Sequence, residues 1–193
     1  NSSILSISNS QPIVTTPQIS PNPSNTSQNL TGSAVVTDID PGEKLNVTIT
    51  WYKNNTRFSN TTRLNAANNT NLSFSLDGIN FNRGENITVE FRVDDNDTIV
   101  GTDSRYINSS TIAIINTLPN LTQPQIFPNP AFSNQTLTGS AVVTDEDSDL
   151  ITVIFNWFIN NIFRFRQTFT DQASGTNVTG TLINDNFTAG DSA

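Results

Sequence analysis

Apolar residues alternate with polar ones along much of this chain. Leu45, Val47, Ile49 and Trp51 fall at every second position, and Ile151, Val153, Phe155 and Trp157 repeat the pattern. A period of two marks a strand with one buried face, so each run predicts a strand closed by a buried Trp. Further strands are predicted at Leu72-Phe74-Leu76, Ile87-Val89-Phe91-Val93 and Ile112 to Ile115, with short ones at Ile19 and across Gly32 to Val36. Asn54-Asn55 and Asn160-Asn161 follow the two Trp-bearing runs, where tolerance of positive φ suits a tight hairpin turn. Helical spacing with caps is absent. About seven short strands per module, each with one apolar face, predict an all-β fold of two-sheet sandwiches.

The pattern occurs twice. PQISPNP at Pro17 to Pro23 returns as PQIFPNP at Pro124 to Pro130, and LTGSAVVTD at Leu30 to Asp38 returns unchanged at Leu137 to Asp145. Gly32 and Gly139 set the offset at 107 residues, the size of a small domain and far longer than a solenoid repeat. Asn1-Ser2-Ser3 aligns with Asn108-Ser109-Ser110, so residues 1–16 read as the closing strand of a preceding module plus a linker. Module 1 is expected over 17–117, a Pro-containing linker over 118–123, and module 2 over 124–193, ending before its last strands. Both ends falling inside a module predicts either a window on a longer array or subunits that complete one another by strand exchange. The Pro-rich connectors are expected to be extended and semi-rigid, lining the modules up as a rod.

Composition narrows the chemistry. With no Cys, His or Met, the common zinc motifs, thiol nucleophiles and histidine bases are unavailable, and no enzymatic activity is expected. Seventeen acidic against nine basic residues give a net charge of −8, which disfavours nucleic acid. No apolar run is long enough for a membrane span, and no signal peptide is present in this piece.

Asparagine indicates the compartment. The 28 Asn and 47 Ser plus Thr would by composition make about seven N-x-S/T triplets. Fifteen occur, at Asn1, Asn25, Asn29, Asn46, Asn54, Asn60, Asn68, Asn71, Asn86, Asn96, Asn108, Asn120, Asn134, Asn177 and Asn186. This twofold excess predicts covalent N-linked glycans and hence an extracellular or cell-surface protein, the alternative being that a polar, Asn/Thr-rich β protein accumulates such triplets. Only Asn1 with Asn108 and Asn71 with Asn177 match between copies, so the acceptors are scattered as coverage.

The strand count, the Trp on the third strand, the TDxD loop before it, and the later NFNRGE and NFTAGD turns together resemble a known class of module. The chain is similar throughout to the immunoglobulin-like, PKD-like or cadherin-like modules strung along archaeal and bacterial surface proteins. That resemblance implies tandem immunoglobulin-like β-sandwiches. Two departures stand out: no Cys pair links the sheets, and the full cadherin calcium signature is missing. The lack of Cys beside dense glycan acceptors fits an archaeal exterior.

One constellation carries possible chemistry. Asp38, Asp40 and Glu43 follow the second strand, and Asp145, Asp147 and Asp149 keep their place across a one-residue deletion. Asp94, Asp95 and Asp97 lie in the loop expected at the same pole of the first module. Hard oxygen ligands suit a structural Ca²⁺, which, as the cadherin-like resemblance implies, would stiffen the joint between modules. The alternative is a set of solvated turn residues. Paired carboxylates also serve glycosidases, but a loop copied twice without a surrounding groove of Trp and Arg argues against that. Trp51 and Trp157 sit on apolar strand faces, which makes them core residues before sugar platforms. Arg164-Phe165-Arg166 reads as an outward-charged strand edge.

Together these readings predict a structural, glycosylated extracellular repeat protein that forms a stalk or the unit of a self-associating filament. An adhesin stalk presenting a binding domain elsewhere, and the spacer of a secreted enzyme, are the alternatives.

Overall fold

The alternating runs form strands because each buries one row of side chains and pairs its backbone sideways. A computed structural model of the chain describes residues 8–95 and 104–193. Asn1, Asn96 and Asp97 therefore lie outside the described residues. The chain divides into two units, Asn1–Asn116 and Thr117–Ala193. Both are all-β, and among the described residues no helix is long and apolar enough to cross a membrane.

Unit 1 contains β1 (Ile13–Val14), β2 (Gln18–Ser20), β3 (Ser24–Asn25), β4 (Leu30–Thr37), β5 (Leu45–Lys53), β6 (Thr56–Ala66), β7 (Thr70–Leu76), β8 (Asn86–Asp94), β9 (Ser104–Asn108) and β10 (Ile112–Ile115). One sheet is centred on β4, with β1 and β2 along one edge and β7 along the other. The second runs β3-β10-β8-β5-β6, with β9 also pairing β8. Leu30, Ala34 and Val36 from the first sheet meet Val47, Ile49, Trp51, Val89 and Phe91 from the second in one buried cluster. Each Leu, Val, Ile or Phe side chain among these is worth about 1.5–3 kcal/mol when fully buried. The sheets approach closely at Gly32, where a Cβ would stand 3.1 Å from the Trp51 indole.

Unit 2 contains β11 (Asn120–Leu121), β12 (Gln125–Phe127), β13 (Leu137–Thr144), β14 (Ile151–Ile159), β15 (Ile162–Gln172) and β16 (Asn177–Leu182). β13 carries β11 and β12 on one edge and β16 on the other, while β14 pairs with β15. The Asn-Asn turns are the same in both units: Asn54 and Asn55 have φ of 50° and 64°, and Asn160 and Asn161 have 49° and 64°. The core is packed differently. Ile49 of unit 1 is replaced by Phe155, and Phe74 by Gly180, so a large residue has moved from one sheet to the other. Phe155 touches both buried clusters of unit 2, one around Trp157 and Ile159, the other around Val143 and Val153.

Three details differ from the sequence reading. The Trp residues do not close their strands, because β5 and β14 each run on two residues to the hairpin turn. Segments read as connectors contribute strands: Ile13–Val14 pairs with β4 and Asn120–Leu121 with β13. Pairing there satisfies backbone groups that would otherwise line a bare edge. The Pro motifs are likewise part of the sheets, through β2 and β12, and the peptide bonds before Pro21, Pro23, Pro128 and Pro130 are cis.

Candidate functional site

Each unit builds an acidic pole where its first long strand ends. Asp38 follows β4, and its backbone N–H donates to Asn68 Oδ1 at 2.9 Å while the Asn68 amide donates back to the Asp38 carbonyl. Beside this clamp Asp38 is buried, at 7% exposure. Asp38 Oδ1 accepts the Asp40 N–H at 2.8 Å. Oδ2 is buried and takes no hydrogen bond. Asp38, Asp40 and Glu43 each offer a carboxylate oxygen within 4.8 Å of the others.

Unit 2 rebuilds this arrangement with different clamp chemistry. Asp145, also 7% exposed, receives the Asp147 N–H on Oδ1 at 2.8 Å and the Asp149 N–H at 3.3 Å. Ser174 Oγ, in the place of Asn68, accepts the Asp145 N–H at 2.9 Å. Asp145, Asp147 and Asp149 form the second group of carboxylates within 4.8 Å. Across the deleted residue, Asp149 thus occupies the role of Glu43.

The segment entering each unit is tied to its pole. Ser10 N–H donates to Asp40 Oδ2 at 2.6 Å, and Thr117 N–H donates to Asp147 Oδ2 at 2.6 Å. Asp94 ends β8 and pairs with Asn46, while Asp95 is 5% exposed and accepts from Asn9 Nδ2 at 3.0 Å. Neither joins the three-carboxylate groups found among the described residues. Sequence reasoning found the carboxylates and missed their fasteners. Ser10 and Thr117 act through backbone N–H groups, which leave no trace in residue identity, and Asn68 reads only as a glycan acceptor.

Among the acceptor triplets, Asn29, Asn54, Asn60, Asn68, Asn71, Asn86, Asn108, Asn120, Asn134 and Asn177 are exposed, and Asn25, Asn46 and Asn186 are half-buried. Several already hold backbone: Asn29 Oδ1 accepts Gly78 N–H, Asn54 Oδ1 accepts Asn86 N–H, and Asn46 Oδ1 accepts Asn65 N–H. Asn60, Asn71 and Asn177 lie on strands, at positions pointing to solvent.

One slot is filled in unit 1. Gly84 N–H donates to the Ile114 carbonyl at 2.8 Å and Ile114 N–H to the Glu85 carbonyl at 2.9 Å, which seats β10 with Ile114 2% exposed. The corresponding residues of unit 2, including Leu137, Ile159, Phe187, Gly190 and Asp191, border a cleft of about 430 Å³. β8 also covers the second edge of β5. Asp191 accepts Thr188 N–H at 2.8 Å and the Asn160 amide at 2.6 Å. These bonds, the Thr188 backbone N–H first, hold its carboxyl below the ordinary range.

Comparison with protein-family models and with curated proteins finds no match for this chain.

Proposed function

We propose that this chain is a structural segment of an exported, N-glycosylated surface protein, built from tandem immunoglobulin-like modules that form a stalk or the repeating unit of a filament. The observation that carries the reading is duplication beneath a varied surface. Strand pairing, hairpin turns and acidic poles recur from unit 1 to unit 2, while exposed glycan acceptors fall at different places on the common frame. The strand order of unit 1, with β4 and β7 facing β5, β8 and β10, supports the immunoglobulin-like assignment. Repetition of one frame serves reach and spacing. An adhesin stalk or an enzyme spacer would use the same modules, and differs in what adjoins them.

Self-association belongs to this proposal. The slot that β10 fills in unit 1 accepts an extended segment with apolar residues two apart. Asn1 to Ile7 reads NSSILSI against NSSTIAI at Asn108 to Ile114, which places Leu5 and Ile7 where Ile112 and Ile114 stand. A segment of that pattern donated by a second copy is the partner proposed.

Electron microscopy of the native protein, with mass mapping of its glycopeptides, tests the reading. Fibres or rods with an axial repeat of one or two modules and sugar on the exposed Asn residues are expected. A native protein that is unglycosylated and monomeric overturns both parts.

A further inference from the structure

We propose that the acidic pole of unit 1 is a Ca²⁺ site whose filling fastens the segment that enters the unit. This does not depend on the surface role proposed above. The first observation is the cluster itself, three carboxylate oxygens within 4.8 Å of one another, present once in each unit. The second is independent: Asp38 is more than nine-tenths buried and its Oδ2 has no donor. A carboxylate oxygen held out of water without a partner is costly, and crowding by two further carboxylates raises the cost. A divalent cation removes both penalties at once. An all-oxygen donor set of this charge suits a hard ion, and Ca²⁺ accepts loose geometry with carbonyls and water completing its shell, whereas Mg²⁺ demands a near-ideal octahedron.

The consequence reaches beyond the loop. Asp40 and Asp147 face two ways, contributing to the carboxylate group and accepting the N–H of Ser10 or Thr117. Immediately downstream, Ile13–Val14 pairs with Val36–Thr37, and Asn120–Leu121 with Val143–Thr144, the residues directly before Asp38 and Asp145. A cation that fixes Asp40 therefore fixes the first strand of unit 1 against the end of β4. Ca²⁺ thereby controls how firmly unit 1 holds its own entering chain.

The test uses the full chain, stripped of metal and titrated with CaCl₂ or MgCl₂ by calorimetry, followed by hydrogen exchange with and without metal. A Ca²⁺ site in unit 1 is expected, with a dissociation constant of about 10⁻⁴–10⁻³ M or tighter. Exchange should slow at Ser10–Val14 on adding Ca²⁺. Asp38→Asn should remove that site and the protection of Ser10–Val14. Should Asp38→Asn fail to fold, Glu43→Gln supplies the same comparison from a less buried ligand. No Ca²⁺ heat and no melting shift up to about 10 mM, a range beyond that of weak extracellular sites, overturns the proposal. Equal binding of Mg²⁺, or binding that leaves Ser10–Val14 unprotected, also overturns it.

Discussion

Phe155 lies over Gly180, its ring carbon 3.1 Å from where a Cβ on that glycine would stand. At the matching places, unit 1 has Ile49 and Phe74, so the two units fill one interior from opposite sheets. Gly180→Phe alone overfills unit 2 and should cost about 1–3 kcal/mol or more. Phe155→Ile alone leaves a void and should also destabilise. Together they should cost well under the sum of the single changes, giving a coupling of about 0.5–3 kcal/mol in a double-mutant cycle. Gln167 Oε1 lies 2.7 Å from the same Cβ position, so adding Gln167→Thr, the unit 1 residue, should relieve that overlap while giving up the two hydrogen bonds Gln167 accepts. Chemical denaturation of the four variants checks this, and strict additivity would refute it.

Gln167 also reaches from β15 to the opposite sheet. Its Oε1 accepts the Trp157 indole N–H at 3.0 Å and the Thr181 backbone N–H at 3.0 Å. Gln167→Leu leaves both donors without this acceptor and should cost about 1–3 kcal/mol. In a Trp51→Phe background the remaining indole reports directly, and its emission should shift as the hydrogen bond is lost. Unchanged emission and stability would show that the bridge carries no weight.

Acid should weaken unit 2 through Asp191. Its folded pKa is lowered from the ordinary 3.8, first by the Thr188 backbone N–H and then by the Asn160 amide. A depressed folded value means the contribution is present above pH 3.8 and disappears as pH falls through the lower folded value. Wild type should exceed Asp191→Asn in stability near neutrality, with the gap closing at the acid end. Melting curves across that range decide it; a constant gap would separate the carboxylate charge from the effect.

Glycan occupancy should follow what each acceptor amide already does. Asn60, Asn71 and Asn177 point outward from strands and should be fully occupied in the native protein. Asn68 holds Asp38 on both its N–H and its carbonyl, so sugar there should be sparse. Peptide mapping of native material gives the occupancies directly. Full occupancy at Asn68 with the clamp intact would contradict this ordering.

Much of the frame was legible in the chain because strands announce themselves by period. Leu45 to Trp51 and Ile87 to Val93 read correctly since each second residue is apolar and each is buried. Connector strands were missed because Ile13–Val14 and Asn120–Leu121 are too short to show a period. Their place is fixed by the bare edges of β4 and β13, which is a tertiary demand. The carboxylate clusters were legible from duplication alone, since the acids persist through a length change. What clamps Asp38, however, is an Asn thirty residues away in sequence, and no local pattern announces that contact.

The strands β4 and β13 are identical in sequence, which sets a problem of identity while the chain folds. Either could in principle zip onto the partner belonging to the other unit, the characteristic error of tandem copies. The exchanged aromatic settles the matter. β7 against β13 would bring Phe74 into a space already taken by Phe155, and β16 against β4 would set Gly180 beside Ile49 and leave a hole. Two strands that cannot be told apart are thus sorted by the company they keep.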